Sequence, residues 1–152
     1  MNQERRKRLS ELDFAACLAS LRFVKESVEP AFFRKPDVAL ENRLGDEEAQ
    51  ICELRGDVKD VLEQERHASR RNPVRTAAQA SLESAAEQLG LAERKTRVAE
   101  QISADARKQA HQGKQPSLEE AQARHTDLHA ALDQAMTALR AAQKATATAR
   151  TL

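Results

Sequence analysis

Tryptophan and tyrosine are absent from this chain, and its four phenylalanines, Phe14, Phe23, Phe32 and Phe33, fall within the first quarter. Three quarters of the sequence therefore have no aromatic side chain on which a base could stack. Glycine is as scarce, with four residues in 152, too few for the turns that cradle phosphates. No glycine-rich nucleotide loop, nucleophile elbow or Cys-x-x-Cys motif is present. The two cysteines, Cys17 and Cys52, do not stand at a metal-ligand spacing and read as small buried apolar residues. No apolar run approaches membrane-spanning length. After the basic stretch Arg5, Arg6, Lys7 and Arg8, the acids Glu11 and Asp13 interrupt what would have to be a signal-peptide core. The expectation is a cytoplasmic protein with no membrane partner. The formal net charge is +1, so the chain lacks the global field of a dedicated nucleic-acid binder.

What is abundant is Ala, Glu, Arg, Gln and Leu, the composition of long helices and coiled coils. The excess of Arg over Lys, with so much Ala, points to a GC-rich bacterial, plasmid or phage source. From Thr76 onward, small and aliphatic residues recur at alternating three- and four-residue steps. One arm carries Leu82, Ala85, Leu89, Ala92, Thr96, Ala99, Ser103, Ala106 and Ala110; the other carries Leu118, Ala121, His125, Leu128, Leu132, Ala135, Leu139, Ala142, Thr146 and Ala149. This is a heptad seam, folded back at Gly113-Lys114-Gln115-Pro116. So much alanine lets two backbones approach near the lower end of the roughly 8 to 10 Å interhelical range.

The helix boundaries follow from capping chemistry. Residues 1 to 9 read as a basic tail, or equally as a backward extension of the first helix toward Asn2, since residues 3 to 8 contain no breaker. Ser10 is a candidate N-cap with Asp13 three residues on, and Leu9 is placed to staple on Phe14. The first helix then presents Phe14, Cys17, Leu18, Leu21, Val24 and Val28 on one broad core face. A connector with prolines at 30 and 36 follows, and Asp37 caps a second helix whose stripe is Leu40, Leu44, Glu47, Ile51, Leu54, Val58 and Val61. The register runs through Gly45, and Gly56 weakens the helix again. Asn72 as N-cap with Pro73 at the first helical position opens the third helix, expected to reach Gln112 over ~60 Å. Ser117-Leu118-Glu119-Glu120 is a capping box that opens the fourth. Residues 145 to 150 lose their large apolar side chains and are expected to fray.

The sequence thus predicts an all-α fold: an elongated helical bundle of two hairpins, the C-terminal one an Ala-rich antiparallel coiled coil. Residues 1–71 form the N-terminal helical pair with its basic tail, and residues 72–152 the long hairpin. Carboxylate pairs such as Glu83 with Glu87, and Asp57 with Asp60, lie on solvated faces where nothing tunes them for acid–base work, and no enzyme is expected. His125 and His129 stand one turn apart with Asp133 a further turn on, a spacing that can share a metal. Because His125 falls on the seam, packing is the favoured role, and neither a metal nor another cofactor is expected. The expected function is a non-enzymatic interaction or assembly protein, a scaffold or accessory factor. It would act through protein partners and self-association, without a small-molecule substrate. Phe32 and Phe33 in the connector, and the stripe Leu91, Val98 and Ile102 beside the seam, are the candidate partner contacts, although at least one of the phenylalanines is expected to tuck under the helices. The stripe is expected to receive the N-terminal helices or a second copy. The alternative is an accessory nucleic-acid-binding factor that grips phosphates through Arg5, Arg6 and Arg8 in the tail and Arg66, Arg70, Arg71 and Arg75 at the corner between hairpins.

Overall fold

A computed structural model describes residues 1–68 and 73–152, with the side chains of residues 73–75 excepted. Among the described residues there is no strand, and five α-helices follow one another: α1 (Gln3–Ser10), α2 (Phe14–Ser27), α3 (Val38–Ala68), α4 (Pro73–His111) and α5 (Leu118–Thr151). A single 3-10 turn, Pro30–Arg34, lies between α2 and α3. The Asn72 cap and the hairpin boundary lie outside the described residues.

Helices α2, α3, α4 and α5 close a ring in which each packs on the next and α2 returns to α5. Neighbours run antiparallel. Across α3 and α4, Glu41 pairs with Arg107, Glu48 with Arg97 and Arg66 with Glu83. Across α2 and α5, Lys25 pairs with Asp133 while Val28 meets His125 and His129. The two hairpins therefore fold onto each other as a four-helix bundle, with one continuous core drawn from both. The alanine seam holds over most of its length: Leu82, Ala85, Leu89, Ala92, Ala99 and Ala106 of α4 are buried, as are Leu128, Leu132, Ala135, Leu139 and Ala142 of α5. It opens at the hairpin tip, where Ala110 is exposed and Leu118 is 70% exposed. The chain has to leave the seam there to make the turn through Gly113, whose φ of 71° is a left-handed conformation that suits glycine.

The N-terminus differs from the expected tail. Residues 3 to 10 are helical because Asn2 Oδ1 accepts the Arg5 backbone N–H at 2.9 Å and the buried Leu9 anchors the last turn. Ser10 is consequently not an N-cap. Its hydroxyl donates back to the Lys7 carbonyl at 2.6 Å, and Asp13 caps α2 by accepting from the Ala16 N–H at 2.9 Å. The far end of α5 does not fray in the expected way either, since Thr146 and Ala149 are buried and α1 packs against this helix. Asp37 accepts from the Ala39 N–H at 3.0 Å, and α3 runs unbroken through Gly45 and Gly56. Both halves of the Ser117 capping box are formed, with Glu120 N–H on Ser117 Oγ at 3.1 Å and Ser117 N–H on Glu120 Oε2 at 3.3 Å. Cys17 is buried, but Cys52 is exposed on α3, and both thiols are free.

Candidate functional site

Two of the four large exposed apolar side chains among the described residues, Phe23 and Val38, lie toward the connector end of the bundle. Phe23 projects from α2 with 55% of its surface exposed, Val38 opens α3 at 49%, and Phe32 and Leu40 are half-buried. Phe23, Phe32 and Leu40, together with Val24, Val28 and Ala39, line a shallow cleft of about 250 Å³. Proline drives this geometry: Pro30 starts the 3-10 turn and Pro36 precedes the start of α3, so the connector doubles back tightly and brings the ends of the two helices side by side. Within the turn, Phe33 is buried, with the Phe32 ring standing edge-on to it at 5.1 Å between centroids. Phe33 is therefore not an exposed partner contact. Phe32 retains that role only in part. The guanidinium of Arg43 lies 4.3 Å over the Phe23 ring, and such cation–π contacts are worth about 0.5 to 1 kcal/mol at exposed sites.

Phe23 was missed by the sequence reading, although a signal existed. It falls on the side of α2 opposite the face of Phe14, Leu21 and Val24, where a globular helix normally places polar residues.

The stripe beside the seam is not covered by the N-terminal helices. Helix α3 packs on another flank of α4, where Arg55 Nη1 lies 2.8 Å from Glu93 Oε2 as an ion contact without hydrogen-bond alignment. Leu91 and Ile102 are half-buried against the core, and Val98 is 47% exposed. Leu91 lines a groove of about 320 Å³ against Gln134, Thr137 and Ala138 of α5.

The N-terminal arginines and Arg66 lie at the opposite end from the phenylalanine cleft. Helix α1 lies beside the end of α3, so Arg5, Arg6 and Arg8 share this end with Arg66; Arg70 and Arg71, and the side chain of Arg75, lie outside the described residues. Most of these guanidinium groups already face carboxylates. Arg5 Nη1 reaches the fully buried Glu65 at 2.9 Å, Arg8 stands 4.0 Å from Asp60, and Arg66 holds both Glu63 at 2.5 Å and Glu83 at 2.8 Å. Among the described residues only Arg6 of this group is exposed without an ion pair.

Titratable groups are perturbed mainly between helices. Burial pushes the Cys17 thiol up to about 11, helped by the nearby Glu47 and Asp13 charges, which leaves it an unreactive thiol. Burial also raises the carboxyl of Glu47, against the pull of the Ser20 hydroxyl and Arg43. Glu100 is pushed up to about 6 by burial first, then by its hydrogen bond to Glu48 and by the charges of Glu48 and Glu41. Among the described residues, no three His, Cys, Asp or Glu side chains gather as a metal cluster. His125 and His129 nevertheless converge: their Nε2 atoms approach the Val28 carbonyl oxygen at 3.0 and 3.2 Å, with ring centroids 4.0 Å apart.

The architecture is that of an all-α four-helix bundle, in which no helix among the described residues is long and apolar enough to cross a membrane. No protein family, curated protein or solved structure matches the chain.

Proposed function

We propose that this bundle is a non-enzymatic interaction and assembly module that docks a protein partner through the cleft of Phe23, Phe32 and Leu40 and self-associates through Leu91, Val98 and Ile102. The observation that carries the reading is Phe23, a large aromatic with 55% of its surface in solvent on the rim of an apolar cleft. Exposed apolar area concentrated beside an open cleft marks an interaction surface far more often than scattered single residues do. Aromatic and arginine side chains are also the groups enriched among interface hot spots, and Arg43 over Phe23 supplies both. The remaining clefts are shallow and solvated, which is a poor setting for substrate chemistry.

A photo-crosslinking residue in place of Phe23, expressed in the native host, tests the docking surface against the same probe at the exposed Thr148 on the far part of α5. A discrete adduct at position 23 and none at 148 is expected. Equal labelling at both positions would remove the cleft from consideration.

One observation favours nucleic acid as a second reading: α1 brings its arginines to the same end as Arg66. The carboxylates already facing Arg5, Arg8 and Arg66 argue against strong phosphate binding. Titration with duplex DNA at about 50 mM salt decides, because engagement of four or five phosphates requires a log–log salt slope near −4. A flat response leaves these residues as structural ion pairs.

A further inference from the structure

We propose that His125 and His129 form a binding site for one borderline divalent transition-metal ion, of the zinc or nickel kind, with the Val28 carbonyl oxygen as the third donor. Residues four apart on a helix share a face, so both imidazoles leave α5 in the same direction. The structure adds convergence to that spacing. Both Nε2 atoms aim at one oxygen, at 3.0 and 3.2 Å, and the rings stand 4.0 Å apart with their planes opened by 38°. Val28 is the C-cap of α2, with extended backbone at φ −92° and ψ 115°, which frees its carbonyl from the helix and turns it toward α5. The carbonyl oxygen has two lone pairs, and the two tilted imidazoles bring a ring nitrogen to each side of it.

An ion placed there would replace the two protons now aimed at the oxygen, with imidazole nitrogens at about 2.0 to 2.1 Å from zinc. A donor set of two imidazoles and a carbonyl suits zinc, nickel or copper rather than magnesium or calcium. Asp133 stands outside the set, since Lys25 Nζ holds its Oδ1 at 2.5 Å, and water would complete the coordination. A bound ion would bolt the end of α2 to α5, next to the phenylalanine cleft. The inference does not depend on what that cleft binds.

Titration calorimetry of the full chain with zinc or nickel chloride tests the site, with thermal melts run alongside. One ion per chain is expected, with a rise in Tm that EDTA reverses. Binding should weaken in acid, because a ligating imidazole must be unprotonated. His125→Ala and His129→Ala should each lose the saturable binding and the Tm rise, while His67→Ala and His111→Ala, at exposed positions, retain both. His129→Gln keeps a donor for Val28, so it separates loss of the ligand from loss of the fold and should also lose the metal response. Absence of saturable binding, or binding unchanged in the His125 and His129 variants, overturns the proposal and leaves the pair as a hydrogen-bond clamp on α2.

Discussion

Arg5 illustrates how one contact changes the reading of a whole segment. As part of a run of four basic residues it looks like a solvated arm, yet its guanidinium closes on a glutamate that has no exposure at all. Hydrogen bonds to charged groups contribute about 1.5 to 3 kcal/mol, so Arg5→Ala should destabilise the protein by about that amount, whereas Arg6→Ala should fall within about 0.5 kcal/mol of the parent. Urea unfolding of the two variants makes the comparison, and equal effects would mean that α1 is not docked. Glu100 gives the second test at this scale. Its carboxyl is raised from the ordinary 4.5 to about 6, so the folded state holds the proton more tightly than the unfolded chain does. The stability this supplies is fully present below pH 4.5 and is lost as the pH rises through 6. Relative to Glu100→Gln, which cannot titrate, the parent should lose Tm between pH 4.5 and 6.5 and stay level beyond. Parallel pH profiles for the two proteins would exclude the carboxyl pair with Glu48.

At the scale of the helix, packing and propensity make opposite predictions for two substitutions to or from alanine. Ala135 is fully buried in the seam, so Ala135→Leu overpacks it at a cost of about 1 to 3 kcal/mol, and melts followed at 222 nm should show the fall in Tm. Gly56 sits inside α3 with nothing within 4 Å of where a Cβ would stand, and Gly56→Ala should stabilise the protein by about 0.5 to 1 kcal/mol. Helices with a periodic apolar stripe and a capping signal were legible from residues alone: the start of α5 at Ser117, the passage of α3 through Gly45, and most of the alanine seam. Helix α1 was not legible as a docked element, because one buried leucine among charged residues leaves no periodicity. Its visible signal was the Asn2 cap. The site was hidden for a different reason. Phe23 lies on the polar side of α2 and acquires meaning only when the connector brings Leu40 and Arg43 to the same cleft, which no local pattern encodes.

The described residues share one core, and the large apolar side chains left exposed are Phe23 and Val38, Val98 on α4, and Leu118 at the hairpin tip. If the Leu91, Val98 and Ile102 face joins two copies, the parent should scatter light as a dimer and Val98→Glu as a monomer with unchanged helicity. A parent that stays monomeric at high concentration would sink that part of the proposal. The ring closure of α2 onto α5 also bears on how the chain matures. A ribosome makes α1 and α2 well before α5, on which both pack. Until then Leu21, Val24 and Phe33 must wait without their full cover, and contacts spanning more than 100 residues, such as Lys25 with Asp133, cannot form. Nascent chains stalled before Leu118 should therefore be cut readily by protease within α1 and α2, while those released after Thr151 resist.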